Sequence, residues 1–318
     1  MRVRVMAGVV LLTMCCGAQG QEKGPWKPSR GIEQVPLWPE GKVPDARAAK
    51  GPEEVSSTGM RDLVAGKPWT AVSHVARPTL SFYPAKGKNT GATVMVFPGG
   101  GYEILAIDLE GTEVCDWFTQ RGVNCVVLKY RVPAPRSEPY WGAYPQSAMA
   151  LEDAQRAIRL LRARAAHWKI DPHKLGVLGF SAGGHLVAAV SVHWKEPIYR
   201  PMDAADKESC RPDFGVVLYP GHLSLERNSI ALTKDIRDRI ASDDPPTFLL
   251  QNEDDNVDRV EDSLSYYMGL KKAGVPVEMH LYAKGGHAFG LRRTKNAATR
   301  WPELVYVWMG SLGLVPAE

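Results

Sequence analysis

From about residue 76 onward, short apolar runs alternate with stretches whose apolar residues recur every three or four positions. The runs at 93–97, 125–128, 175–179, 216–219, 248–250 and 277–282 predict strands. The central ones are apolar without alternation, the pattern of strands buried on both faces of a parallel sheet. Between them the periodicity predicts helices near 111–121, 147–167, 182–193, 229–240, 258–273 and 297–311. In the second of these, Leu151, Ala154, Ile158, Leu161 and Ala165 fall on one face. Strand–helix alternation of this kind predicts an α/β fold, a mostly parallel doubly wound sheet with helices on both faces. Ligands of such sheets bind beyond the carboxyl ends of the strands. Residues 21–75 are rich in Pro, Gly and charge and lack periodicity, so they read as an N-terminal extension packed on one large domain over 76–318.

Composition adds a compartment. A basic start, Met1-Arg2-Val3-Arg4, precedes an apolar run over 5–16 and the small residues Ala18-Gln19-Gly20. This reads as a secretory signal over 1–20, cleaved after Gly20, with an apolar run too short to span a bilayer. A secreted or periplasmic protein is expected. Without that segment 37 basic residues face 35 acidic ones, which argues against nucleic-acid or anionic-membrane binding. Three cysteines remain, Cys115, Cys125 and Cys210, with no metal-site spacing. Cys115 and Cys125 read as small buried apolar groups rather than as a bridge. No metal and no cofactor is implied.

The candidate chemistry starts at Gly179-Phe180-Ser181-Ala182-Gly183, directly after a predicted strand. This is G-x-S-x-G in strand–turn–helix context, which lifts a serine hydroxyl clear of the backbone. A serine nucleophile needs a histidine to take its proton and a carboxylate to orient that histidine. Of eight histidines, His287 in Gly285-Gly286-His287-Ala288-Phe289-Gly290 follows the last predicted strand. Its flanking glycines suit a loop that projects the ring across the sheet edge. His185 lies one turn beyond Ser181, where it packs beside the nucleophile, and His222 is the reserve base. For the acid, Glu253, Asp254, Asp255 and Asp258 compete within one loop after the 248–250 strand. The order serine, acid, histidine is that of α/β-hydrolases. Pro98-Gly99-Gly100-Gly101-Tyr102 follows the first core strand and offers backbone N–H groups for an oxyanion. A phosphate loop is disfavoured, since no G-K-S/T and no dinucleotide fingerprint accompany these glycines.

These segments, with Leu109-Glu110-Gly111, Leu128-Lys129-Tyr130-Arg131-Val132-Pro133, Tyr266-Tyr267 and Ala273-Gly274-Val275-Pro276, resemble the α/β-hydrolase superfamily. The chain is most similar to the secreted bacterial acetylxylan-esterase-like carbohydrate esterases. The resemblance implies Ser181 as nucleophile, His287 as base, and Asp254 as acid, because the family's acid has a Val three residues later and Val257 fits. It also implies an oxyanion hole from the N–H groups of Gly100, Gly101 and Ala182. Pro98 departs from the His-Gly-Gly-Gly of many relatives. Asp153 and Arg156 match the pattern as a structural ion pair.

The loop over 132–146 should lie on the site's rim, where its aromatic faces suit sugar rings. Tyr140 and Trp141 of that loop, with Tyr102 and His222, are the candidate substrate contacts. No interval between strands is long enough for a large lid, so short acyl groups on bulky alcohols are favoured over long-chain lipids. The expected activity is deacetylation of a plant-type polysaccharide such as acetylated xylan, the substrate being an acylated carbohydrate or other small ester. The alternatives are a feruloyl or other small-ester esterase, a prolyl-oligopeptidase-like peptidase, or a silent binding protein on a hydrolase scaffold.

Overall fold

A computed structural model describes residues 24–317 apart from 46, 48, 50 and 227, so the expected signal segment lies outside the described residues. The described strands are β1 (Glu33–Pro36), β2 (Glu54–Ser57), β3 (Thr70–Ser73), β4 (Thr79–Tyr83), β5 (Thr93–Phe97), β6 (Ile104–Ala106), β7 (Asn124–Lys129), β8 (Leu175–Phe180), β9 (Phe214–Leu218), β10 (Thr247–Asn252) and β11 (Val277–Tyr282). Eight of them form one sheet in the order β1-β4-β7-β5-β8-β9-β10-β11. It is parallel from β7 to β11 and antiparallel at the β1-β4-β7 end. Every residue of β5, β7, β8, β9 and β10 is buried, as their unbroken apolar runs predicted.

The described helices are α1 (Glu113–Thr119), α2 (Met149–Ala163), α3 (Ala165–Trp168), α4 (Ala182–His193), α5 (Lys234–Arg237), α6 (Val260–Ala273) and α7 (Trp301–Ser311). α4 is buried along its whole length against β8 and β9, which explains its unpatterned, apolar sequence. The helix expected over 229–240 is reduced to the single turn α5, because Leu232 pairs with Ser224 in an isolated β-bridge and Ala231 O accepts from Leu225 N, which takes these residues out of the helix. None of the described helices is long and apolar enough to cross a membrane.

The segment before residue 76 is more than a packed extension. It supplies β1 to the main sheet, and β2 and β3 pair with β6 as a separate three-stranded sheet. These strands escaped the sequence reading because they are four residues long and partly exposed, which leaves little periodicity. Buried polar contacts tie the segment down. The Trp38 indole N–H donates to Asp153 Oδ1 at 2.7 Å, and Lys129 Nζ pairs with Glu53 at 2.6 Å.

Two further expectations are corrected. Cys115 and Cys125 form a disulfide joining α1 to β7, because the turn between them folds the helix back on the strand it precedes. Cys210 remains a buried free thiol. Asp153 and Arg156 do not pair with each other: they point apart from α2, Asp153 to Arg131 and Arg156 to Asp203 and Asp206.

Candidate active site

β8 lies near the middle of the sheet, between β5 and β9, and ends in the turn that carries Ser181. Ser181 has φ 53° and ψ −120°, a conformation L-residues adopt only under constraint. The constraint is visible: its N–H donates to Leu218 O at 3.0 Å, and its carbonyl accepts from His185 N at 3.0 Å. The two motif glycines permit the turn. A Cβ on Gly179 would stand 2.1 Å from Gly183 O, and one on Gly183 would stand 2.0 Å from Phe97 O. Helix α4 therefore starts directly against the end of β5, and the Gly99–Gly101 loop comes to lie beside the serine.

His287 reaches back from the loop after β11. Its Nε2 is 3.0 Å from Ser181 Oγ, and its Nδ1 is 2.6 Å from Asp255 Oδ2. The carboxylate partner of His287 is thus Asp255 and not Asp254. Asp255 is buried, with Oδ1 accepting from the N–H groups of Val257 and Asp258 and Oδ2 also accepting from Gln251 Nε2. Asp254 turns the other way and accepts from Gly285 N and Gly286 N, both at 2.9 Å. Those amide bonds hold its carboxyl below the usual carboxylate range, and they brace the loop that carries His287. Val257, whose spacing pointed to Asp254, contributes its N–H to Asp255 and leaves its side chain exposed.

Burial opposes charging of the His287 ring, but the hydrogen bond and charge of Asp255, with the charges of Asp258 and Glu110, outweigh it and raise its pKa. The Tyr219 ring packs on the imidazole at 5.0 Å. Asp258 stands beside His287 at the serine, its Oδ2 accepting from Ser181 Oγ at 2.9 Å and lying 3.6 Å from His287 Nε2. Burial pushes the Asp258 carboxyl up against the opposing pull of His287 and of the serine hydroxyl.

The glycine loop is braced from below by Glu110, which accepts from Gly99 N and from the Tyr219 hydroxyl, each at 2.9 Å. Gly100 and Gly101 have φ 133° and 62° and line the cavity in front of Ser181. The N–H groups of Gly100, Gly101 and Ala182 have no acceptor among the described residues, which leaves them available to a ligand oxygen. The cavity holds about 530 Å³. Trp141 and His222 line it, together with Trp69, Arg136 and Arg259.

Two of the four expected substrate contacts lie elsewhere. Tyr102 is buried beneath the site, its hydroxyl 2.9 Å from Nδ1 of His185, whose pKa burial lowers to about 3. The Tyr140 ring is covered by Arg47 at 4.8 Å, outside this cavity. Glu110 and Trp69 were missed as contributors. Glu110 stood out only as part of the matching segment Leu109-Glu110-Gly111, without a role, and Trp69 sits in the segment without periodicity.

A model of the alpha/beta hydrolase fold family matches residues 94–291, which include the relay, the glycine loop and the named cavity wall except Trp69. The chain belongs to the alpha/beta-hydrolase family. It is similar to an acetylxylan esterase of Xylanibacter ruminicola, 26% identical over 63% of this chain and 42% of the relative. A second relative is an endo-1,4-beta-xylanase B of Butyrivibrio fibrisolvens, 30% identical over 61% of this chain and 32% of the relative. The chain thus spans less than half the length of these two curated relatives. Among solved structures, an acetyl ester-xyloside bifunctional hydrolase from Caldicellulosiruptor lactoaceticus superposes with a TM-score of 0.69. That structure is 32% identical, with 89% of this chain and 97% of the other covered. A Thermogutta terrifontis esterase bound to propionate, 23% identical with a TM-score of 0.62 over 76% and 92% of the two chains, shares the α/β-hydrolase fold.

Proposed function

We propose that the chain is a serine carboxylic-ester hydrolase that removes acetyl groups from a plant-type polysaccharide such as acetylated xylan. The observation that carries this reading is the continuous relay Ser181–His287–Asp255 in an open cavity faced by unpaired N–H groups. Relatives named for acetylxylan and acetyl-ester hydrolysis support the substrate class. In the forward step His287 Nε2 takes the Ser181 proton as Oγ attacks the ester carbonyl carbon. The carbonyl electron pair moves onto oxygen, where the N–H groups of Gly100, Gly101 and Ala182 stabilise it. Collapse of that intermediate expels the sugar oxygen, which takes the proton from His287. Water, deprotonated by the same ring, then attacks the acyl carbon, the acyl–Oγ bond breaks to release acetate, and Ser181 Oγ takes the proton back from His287. Asp255 keeps the proton on Nδ1 throughout and stabilises the transient imidazolium. The Trp69 and Trp141 rings on the cavity wall suit sugar faces.

Export belongs to the same reading. Residues 1–20 act as a leader removed after Gly20, and the Cys115–Cys125 disulfide suits an oxidising compartment. N-terminal sequencing of the protein recovered outside the cytoplasm checks the leader, an intact Met1 counting against it.

Acetate release from acetylated xylan by wild type and by Ser181→Ala tests the activity. Release by wild type alone is expected. Equal release by both proteins would refute the role of Ser181, and release by neither would refute the substrate.

A further inference from the structure

Asp258 has no place in the relay just described, yet its carboxylate is as close to the nucleophile as the base is. Ser181 Oγ is 2.9 Å from Asp258 Oδ2 and 3.0 Å from His287 Nε2, so the single hydroxyl proton has two acceptors. The placement is built rather than incidental. The Asp258 N–H donates to Asp255 Oδ1 at 3.0 Å, and its carbonyl accepts from Gln251 Nε2 at 3.0 Å. Gly221 packs directly on the carboxylate, and a Cβ there would stand 2.4 Å from Asp258 Oδ1. Any larger residue there would displace the carboxylate. Arg259, the next residue, lines the same cavity, yet no hydrogen bond or ion pair joins it to Asp258. Oδ1 likewise has no hydrogen-bond donor among the described residues, while Asp258 lines the cavity in front of Ser181.

An anionic carboxylate beside the point of attack is unfavourable for the oxyanion that forms there, so its presence calls for a compensating use. An ionised carboxylate has lone pairs and no proton to give, and its natural ligand is a donor. In an ester of a sugar, the donor nearest the reacting carbonyl is the hydroxyl on the neighbouring ring carbon.

We propose that Asp258 is the specificity-determining acceptor for a free hydroxyl adjacent to the scissile ester, selecting partially acetylated sugars over fully acetylated ones and over simple esters. The proposal rests on the esterase reading above. Oδ1 accepts the substrate hydroxyl, which weakens the hold of the carboxylate on Ser181 and returns the serine proton to His287. Recognition of the alcohol and release of the nucleophile are then one event.

The test uses three acetates: 4-nitrophenyl acetate, a monoacetylated methyl xyloside with a free neighbouring hydroxyl, and its triacetate, which has none. Initial acetate release gives kcat/KM for wild type, Asp258→Asn and Asp258→Ala. Wild type is expected to prefer the monoacetate to the triacetate. Asp258→Ala should lose that preference by about 10- to 100-fold, the factor for removing one hydrogen bond to a charged group, and Asp258→Asn, which keeps an uncharged acceptor oxygen, should lose part of it. The aryl acetate should be hydrolysed faster by the variants, because a negative charge beside the oxyanion is gone. A monoacetate-to-triacetate ratio that survives in both variants overturns the proposal, because the preference is then steric. A uniform fall on all three substrates also overturns it and assigns Asp258 to the chemical step. Failure of wild type on all three acetates would instead sink the esterase reading.

Discussion

Replacing Asp255 by Asn exchanges one oxygen for an NH2 group and keeps the shape of the acid loop. The Asp255 carboxylate is surrounded by donors on both sides. Oδ1 receives the N–H groups of Val257 and Asp258, and Oδ2 receives Gln251 Nε2 and His287 Nδ1. An amide satisfies only one side. If its oxygen stays on the backbone amides, its NH2 meets His287 Nδ1 and drives the ring proton onto Nε2. That nitrogen then cannot accept from Ser181. Loss of the orienting carboxylate in a Ser-His-Asp relay lowers kcat by about 10⁴-fold, or about 5.4 kcal/mol at 1.36 kcal/mol per factor of ten. Asp254→Asn is the matched control. Its amide oxygen still accepts the Gly285 and Gly286 N–H groups from a partly exposed position, so kcat should change by less than about tenfold. Initial rates on 4-nitrophenyl acetate, with thermal melts to show that both variants fold, decide between the two carboxylates. A 10³-fold or larger loss in Asp254→Asn beside near-normal rates in Asp255→Asn would refute the assignment.

The base must be neutral to work, and the His287 pKa is raised. Activity should therefore fall as pH drops through a value above the ordinary 6.5, and a flat kcat/KM profile between pH 5 and 8 contradicts the role. Removing the Asp258 charge takes away one of the groups raising that pKa, so the acid limb should move to lower pH in Asp258→Asn. Gly183→Ala forces a Cβ into the Phe97 carbonyl, which is backbone and cannot swing aside. A loss of about 1–3 kcal/mol is expected in chemical denaturation, with displacement of the glycine loop seen as a fall in kcat. Arg131→Ala strands the buried Asp153 and Glu152 carboxylates, and denaturation should show a loss of about 3–5 kcal/mol. A change under about 1 kcal/mol would show that these acids take up protons or water at little cost.

The central strands were legible because burial on both faces leaves no room for polar positions, and burial on both faces is how they sit in the sheet. Ser181 and His287 could be picked out because their backbone turns need glycines, and glycines are visible in a sequence. The acid was not legible. Asp254, Asp255 and Asp258 lie within five positions, and only the packed loop decides which is buried under the imidazole, which braces the neighbouring turn and which faces the serine. The Cys115–Cys125 bridge was hidden for a related reason. A spacing of ten residues says nothing about how closely a helix returns to its strand. Trp69 reaches the cavity from a segment whose strands are too short to print a period.

The first strand of the chain has a consequence for where the molecule can be cut. β1 is hydrogen-bonded along β4 from Glu33 to Pro36, and the family match begins only at residue 94. A fragment trimmed to about residue 76 would keep every group of the relay and still contain β4. That strand would then become a bare edge, with unpaired N–H and C=O groups and the apolar Leu80 and Phe82 beside them. Asp153, inside the molecule, would lose the Trp38 indole that satisfies it. Such an edge is a template for another copy, so the trimmed fragment should self-associate. A fragment expected to stay monodisperse in size-exclusion chromatography has to start upstream of Glu33.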